Sequence, residues 1–337
     1  MITRVDIERG ITLPADLPYD PFRTSLYSCE ELMRGWSPGD DHSATLDGQI
    51  YDRVSERATD EHELLAQRVH DFAIDRAVAR LVARKPAVVG IMGSSTTQPT
   101  EAAYTRVAHL ARLLSRAGFL VASGGGLGIM EAANLGAFLA PHPESELDAA
   151  IDELASAPPF DQQDRSAQAA YLKVAVAIRE RYLSGGENLA IPTWVYSGEP
   201  ISQFASQIAK YFANSIREDG LLTISFAGIV FAEGRAGTTQ EIFQDAAKKA
   251  DTDRGGERSP MAFLGKDSYT STGLYAELEA QSKLWGPYPH GLFDEPADVV
   301  DYLMAHQPRR LIDRVASAEP ERVRELVKAR ASRTARR

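Results

Sequence analysis

The stretch FLVASGGGLGIMEAANLGA (residues 119–137) gives the clearest indication of fold in this chain of 337 residues. Its first four residues form a short apolar run that is typical of a buried parallel strand. SGGGLG (123–128) then turns the chain into a helix that is predicted to end near Leu139. A strand at 87–92 and a helix at 101–117 precede it. Strand, helix, strand, glycine turn and helix predict parallel, right-handed βαβ connections.

The pattern continues towards the C-terminus. Further apolar runs predict strands at 188–196, 228–231 and 261–265. Helical periods predict helices at 201–218, from a second glycine turn to about 250, at 273–283 and at 294–305. Alternating strands and helices predict an α/β fold, a doubly wound parallel sheet of the Rossmann-like type.

Three regions follow from this reading. Residues 1–84 form an N-terminal arm, without clear period over 1–58, and a helix at 60–83. Residues 85–306 form the Rossmann-like nucleotide-binding domain, with a helical insertion outside the sheet at about 140–187. Residues 307–337 form a basic C-terminal helix or tail, with ten Lys and Arg against four Asp and Glu from residue 308 onward. This tail is either a solvated helix with a frayed end or a basic arm that docks on an acidic neighbour or a polyanion.

Composition restricts the partners. The formal net charge of −10 argues against nucleic acid as the main partner. No stretch approaches the roughly 18 apolar residues of a membrane span, so no membrane contact is expected. Cys29 is the single cysteine, which excludes an internal disulfide and fits a reducing, cytoplasmic setting. The seven histidines lack metal-ligand spacing, and the sequence predicts neither a metal nor a cofactor.

The first glycine turn offers a ligand site. Gly124, Gly125, Gly126 and Gly128 let the backbone approach a ligand, and the helix that follows offers unpaired N–H groups to a phosphate. A tight connection without a ligand is the alternative. The spacing GGGLG differs from the G-x-G-x-x-G fingerprint, and no acid ends a second strand about 20 residues later, so a dehydrogenase is not expected.

The second glycine turn is EGRAGTTQE (233–241), which also ends a strand and begins a helix. Thr238 and Thr239 either cap that helix or bind a phosphate through hydroxyl and N–H donors. Glu241 lies three residues after Thr238, which also fits a Thr-x-x-Glu capping box. The turn Gly93-Ser94-Ser95 follows the first strand. All three turns come after strand carboxyl ends, where ligands bind in open α/β sheets, so we expect them to share one crevice.

Together these motifs resemble the LOG family, lysine decarboxylase-like nucleotide phosphoribohydrolases of the cytokinin riboside 5′-monophosphate type. GSS (93–95) and SGGGLGIMEAANLGA (123–137), with Met130 in the G-x-M position, resemble the family's first motifs. EGRAGTTQE resembles its P-G-G-x-G-T-x-x-E motif, with Glu233 in place of proline and Arg235 in place of the second glycine. An arginine on the preceding helix belongs to the family's active site, and Arg217 is the best match. The resemblance covers about residues 87–290.

The resemblance implies an enzyme that hydrolyses the N-glycosidic bond of a nucleoside 5′-monophosphate, giving free base and ribose 5-phosphate. It implies that backbone N–H groups near Gly237 and Thr238 bind the 5′-phosphate, that Gly234 belongs to the substrate-binding turn, and that Glu241 stabilises an oxocarbenium-like transition state. Arg217 would orient Glu241 and favour its ionised form. The Glu233 carboxylate is tolerated only if it points away or is paired, and Arg235 could offset it or contact phosphate.

Two further expectations complete the reading. LOG-like proteins are commonly dimers, which implies a homodimer, with the predicted helix 201–218 as an interface element. The alternative function is a non-catalytic sensor or carrier that binds a nucleotide on the same fold. An enzyme requires Arg217 and Glu241 in one pocket. Core packing is the expected role of three aromatic residues, in preference to stacking on a base; they are Trp194, Tyr196 and Trp285.

Overall fold

The described strands of this computed structural model form one sheet. The structure describes residues 10, 12–56, 60–161, 163–182, 184–195, 200–250, 258–309 and 311. The strands are β1 (Val88–Met92), β2 (Leu120–Ser123), β3 (Asn188–Ala190), β4 (Gln207–Ile208), β5 (Gly228–Phe231), β6 (Met261–Leu264) and β7 (His290–Phe293). They pair in the order β4-β3-β2-β1-β5-β6-β7, and every pairing is parallel.

Helices cover both faces of this sheet. They are α1 (Cys29–Leu32), α2 (Leu46–Glu56), α3 (Glu61–Arg84), α4 (Ala102–Arg116), α5 (Ile129–Phe138), α6 (Glu144–Ser156), α7 (Arg165–Arg181), α8 (Asn214–Ile224), α9 (Ala236–Ala250), α10 (Lys266–Ser271), α11 (Leu274–Trp285) and α12 (Pro296–Ala305). A 3-10 turn covers His42–Ala44. The predicted α/β, doubly wound, Rossmann-like fold is confirmed.

Alternate residues of β1 face two separate apolar cores. Val89 and Ile91 pack with α4 to α7 and α12, whereas Val88 and Met92 pack with α1 to α3 and α8 to α11. Successive side chains of a strand point to opposite faces, so a strand buried on both sides is apolar at every position. The order of strands reverses between β1 and β5, and the switch point of the sheet lies there.

The predicted helix at 201–218 is wrong. Residues 201–213 run without helix, and α8 begins only at Asn214. Ile208 exchanges two backbone hydrogen bonds of 2.9 Å with Tyr27, and β4 pairs with β3. The N–H groups of Phe212 and Ala213 both donate to the buried Asp71 carboxylate at 2.9 Å. Pairing and capping by distant residues satisfy this backbone in place of a helix.

Other boundaries also differ from the sequence reading. The strand predicted at 188–196 ends at Ala190, and β7 and α10 were not predicted. The arm over 1–58, predicted as irregular, contains α2, which buries Leu46 and Ile50 against the sheet. The insertion at 140–187 contributes α6 and α7 outside the sheet. The basic tail beyond Leu311 lies outside the described residues. Among the described helices, none has the length and apolar character that crossing a membrane requires.

Candidate functional site

Turns at the carboxyl ends of β1, β2 and β5 enclose a crevice of about 390 Å³ beside the switch point. The residues around it are Gly93, Ser94, Ser95, Thr96, Gly124, Gly125, Gly126, Met130, Pro192, Thr193, Pro200, Lys210, Arg217, Glu218, Arg235, Gly237, Thr238 and Glu241. The three turns that the sequence predicts to converge therefore do so. An apolar groove of about 800 Å³ lies elsewhere, between α3 and α8, but it lacks this collection of charged groups.

Three residues that the sequence predicts in the site do not border the crevice. Gly128 caps the start of α5 with a φ of 65°, and a side chain there would meet Ser94 and Ser95. A side chain at Gly234 would meet Thr238. Thr239 belongs to the first turns of α9, and its N–H donates to the carbonyl of Arg235 at 3.0 Å. These residues shape the turns that the other predicted residues present to the crevice.

A buried polar chain holds the first glycine turn. The N–H of Gly125 donates to Ser123 Oγ at 3.1 Å, and that hydroxyl donates to Asn134 Oδ1 at 2.8 Å. Asn134 Nδ2 in turn donates to Asn188 Oδ1 at 2.9 Å. Gly125 has a φ of 75°, and a side chain there would press on Pro192. The turn is therefore rigid, and the first N–H of α5 already donates to Ser94 O at 3.0 Å.

The second glycine turn leaves more donors for a ligand. Helix α9 begins at Ala236, so Thr238 and Glu241 are its third and sixth residues. The capping-box reading of these two residues is therefore wrong. The N–H groups of a helix's first turn have no acceptor within the helix, and its dipole adds positive potential there. Gly237 has open space where a side chain would stand, so its backbone is accessible.

Arg217 is fixed between the two turns. It lies on the first turn of α8 and is 8% exposed. Its Nε donates to the carbonyl of Ile191 at 2.7 Å, and its Nη2 donates to the carbonyl of Gly124 at 3.1 Å. Its Nη1 lies 4.0 Å from Glu241 Oε1. The predicted pair of Arg217 and Glu241 thus shares one pocket, with the guanidinium held by two carbonyls.

Glu241 titrates near neutral pH. Burial raises the pKa of Glu241 to about 7, against the positive charge of Arg217, which lowers it, while Glu218 raises it further. Arg217 therefore favours the ionised form, as the resemblance implies, but burial outweighs it. Glu218 itself accepts hydrogen bonds from Asn214 at 2.7 Å and Gln240 at 3.3 Å. A carboxyl with a pKa near 7 is suited to take up or release a proton at neutral pH.

The two departures from the family motif have separate positions. Glu233 is absent from the residues around the crevice, and its Oε1 lies 3.8 Å from Arg106 Nη1. The carboxylate is therefore paired and outside the site, as the sequence argument requires, although its partner is not Arg235. Arg235 borders the crevice and is exposed, and its side chain makes no hydrogen bond or ion pair with the described residues. It can contact an anionic ligand.

Lys210 is a site residue that the sequence reading missed. It is 3% exposed, borders the crevice, and contacts Asp47 Oδ1 at 2.7 Å. Burial raises the pKa of Asp47, but Lys210 and a hydrogen bond with His42 hold it well below its usual range. Trp194 also donates to Asp47, at 2.8 Å, and is buried as expected. Trp285, which was also expected in the core, is 41% exposed, and Tyr196 lies outside the described residues. One feature of the sequence could have pointed to Lys210 as a site residue, because it is the single charged residue within 201–213.

Comparison with known proteins gives a match over the segment from β1 to the end of α5, which contains the first two turns. Residues 86–140 match the model of the SLOG cluster4 family. SLOG proteins include LOG-like members, and the match is to cluster4 rather than to the LOG family itself. A search of curated proteins finds no match to the chain.

Two solved structures are similar to part of the chain. One is a molybdenum cofactor binding protein from the phototrophic bacterium Rippkaea orientalis, at 14% identity and a TM-score of 0.40, covering 64% of this chain and 93% of the other. The second is the molybdenum cofactor carrier protein of Chlamydomonas reinhardtii, at 14% identity and a TM-score of 0.37, covering 63% and 92%.

Proposed function

We propose that the chain binds a nucleotide in the crevice, with its phosphate at the N-terminus of α9. One observation carries this proposal: the accessible first turn of α9 at Gly237 and the unpartnered side chain of Arg235 border the same crevice, at the switch point of the sheet. Lys210 and Arg217 add positive charge at the same crevice. The match to the SLOG cluster4 family supports a nucleotide-binding fold over the segment 86–140.

The second candidate function is hydrolysis of the bound nucleotide to free base and ribose 5-phosphate. The pairing of Arg217 with Glu241 in one pocket favours it, because an enzyme of this kind needs both groups at the ribose. Ionised Glu241 would stabilise positive charge that develops on the sugar, and Arg217 would hold the carboxylate in place. A sensor or carrier would bind the nucleotide and release no base. The two similar solved structures, with TM-scores of 0.40 and 0.37, do not decide between these uses.

The test is incubation with a panel of nucleoside 5′-monophosphates, with free base separated by chromatography and binding measured by calorimetry. Base release by the wild type, reduced about 100- to 1000-fold in Glu241→Gln, supports hydrolysis. Glu218→Gln is the matched control, because it removes the other crevice carboxylate and should retain most of the activity. Binding without release in the wild type supports a carrier or sensor. A wild-type chain that binds no nucleotide and no ribose 5-phosphate would contradict the proposal.

Homodimer formation and a cytoplasmic location stay predictions. The interface element predicted over 201–218 is not a helix before Asn214, where α8 begins. Helices α8 and α3 border the apolar groove through residues such as Val78, Val82, Ile216 and Ile224. Light scattering at micromolar concentration should give a mass of two chains, and a mass of one chain would contradict the dimer.

A further inference from the structure

A second pocket, of about 450 Å³, adjoins the crevice. The two cavities share Ser95 and Thr96 in their walls. The second pocket is otherwise bordered by the loop after β1, the start of α5 and the insertion, through Thr97, Gln98, Pro99, Leu127, Gly128, Glu131, Pro159, Phe160, Asp161, Gln163 and Tyr171. The helical insertion, which has no part in the sheet, thus builds one wall of a cavity beside the site.

A short turn separates the two cavities. Ser94 Oγ accepts from the N–H of Thr96 at 3.1 Å and lies 2.9 Å from its hydroxyl. Gly128 packs against the other side of this turn so closely that a side chain there would meet the carbonyl of Ser94. Ser95 and Thr96 themselves are exposed. One ligand can therefore cross over Ser95 and Thr96 and occupy both cavities.

The cavities differ in charge. The crevice is bordered by three cationic residues, Lys210, Arg217 and Arg235, and by the two acids Glu218 and Glu241. The described residues around the second pocket include Glu131 and Asp161 and no Lys, Arg or His. An anionic group is stabilised in the crevice and would be repelled from the second pocket. The second pocket is suited to an uncharged group that donates hydrogen bonds.

Glu131 supplies an acceptor for such a group. It is 2% exposed and borders the second pocket. Tyr104 donates to Glu131 Oε2 at 3.0 Å, and Tyr171 donates to the same oxygen. Both hydrogen bonds go to Oε2, which leaves Oε1 to accept from a ligand. Burial also raises the pKa of Glu131 to about 7, although both tyrosines lower it.

A purely structural role does not explain an acid at this position. The network joins α5 to α4 and α7, but the two tyrosines require only one acceptor oxygen. Glutamine would supply that oxygen without the cost of burying an ionisable group. A carboxyl becomes useful where a ligand N–H meets its second oxygen, because hydrogen bonds to charged groups are the stronger ones.

We propose that this second pocket binds the base of the nucleotide and that Glu131 Oε1 accepts from a base with a ring N–H beside an exocyclic amino group, as in guanine. The proposal rests on the proposed function in that the phosphate of the same nucleotide lies in the crevice. Carboxylates pair with donor edges of bases, and adenine, whose ring nitrogens are acceptors, lacks this ring N–H. The pocket volume lies within the roughly 300–1,000 Å³ of small-molecule sites.

The test is calorimetric titration of the full chain with guanosine 5′-monophosphate, adenosine 5′-monophosphate and ribose 5-phosphate. The wild type should bind the guanine nucleotide at least about tenfold more tightly than the adenine nucleotide. Glu131→Gln should remove that preference and leave ribose 5-phosphate affinity unchanged. Glu180→Gln is the matched control, because it makes the same exchange at an exposed position of α7 that borders neither cavity, and it should keep the preference.

Three results would overturn the inference. The first is an equal affinity of the wild type for the two nucleotides, and the second is an unchanged guanine preference in Glu131→Gln. The third is that Glu131→Gln weakens ribose 5-phosphate binding as much as it weakens binding of the guanine nucleotide, which would mean a structural role. If ribose 5-phosphate does not bind the wild type, the proposed phosphate site fails, and guanosine then tests the second pocket alone. Guanosine binding that Glu131→Gln removes would support it, and no guanosine binding would refute it.

Discussion

Replacing Glu241 with glutamine should stabilise the protein at alkaline pH. Burial raises the pKa of this carboxyl from an ordinary 4.5 to about 7. A carboxyl whose pKa is raised in the folded state contributes stability below pH 4.5, and this contribution is lost as the pH rises through 7. Ionised Glu241 therefore lowers the free energy of unfolding by about 3 kcal/mol at pH 8, since each pH unit corresponds to about 1.4 kcal/mol.

Glutamine has nearly the same size and remains neutral at every pH. The free energy of unfolding of Glu241→Gln should exceed that of the wild type by about 3 kcal/mol at pH 8 and by less than about 1 kcal/mol at pH 5. For 337 residues, with an unfolding entropy of about 2.1 cal/mol/K per residue, 3 kcal/mol raises the melting temperature by about 4 °C. Scanning calorimetry of both proteins at the two pH values measures the difference.

Glu180→Gln is the control, because Glu180 is exposed on α7 and its loss should change the melting temperature equally little at both pH values. A Glu241→Gln variant that is less stable by about 1 kcal/mol at both pH values would refute the reasoning, since that is the result expected of a lost helix cap. Glu241→Gln, which should stabilise the fold, should also reduce the proposed base release. One variant therefore measures both the loss of unfolding free energy caused by Glu241 and its contribution to the proposed reaction.

Three further predictions concern the crevice. Glu218→Gln removes the negative charge that raises the pKa of Glu241, so the pH profile of base release should move to lower pH in steady-state assays. Gly237→Val should weaken ribose 5-phosphate binding at least about tenfold in calorimetry and leave the melting temperature unchanged, because a side chain has open space there. Gly125→Val should lower the melting temperature, because the valine side chain would meet Pro192. Arg217→Ala should lose about 100-fold or more in base release, and adding Glu241→Gln should lose little more, because the two act as one unit; additive losses would contradict this.

Apolar periodicity predicted the elements that form the centre of the sheet. The strands at 87–92 and 228–231 match β1 and β5 within a residue, since buried parallel strands are continuous apolar runs bounded by glycine turns. The convergence of the three turns followed from strand direction alone, and most of the crevice residues were predicted with it.

The elements that the sequence did not predict depend on distant contacts. Residues 201–213 are apolar at helical spacing, but nearly all of them are buried, so their period does not reveal a solvent face. Their backbone is fixed by Tyr27 and Asp71, which are far away in sequence. Strand β7 lies at the sheet edge beside Pro289, and prolines there resemble a loop. Lys210 enters the site only because this segment is extended.

The ion pair of Lys210 and Asp47 makes helix α2 part of the site. Asp47 lies on α2, in the N-terminal arm, whereas Lys210 borders the crevice beside the switch point of the sheet. A chain shortened to begin at the predicted domain boundary would keep every glycine turn, yet it would leave a buried ammonium group without its counterion. Breaking a buried pair in this way typically costs about 3 to 5 kcal/mol. The smallest unit that keeps this crevice intact therefore extends beyond the predicted domain of residues 85–306 and includes α2.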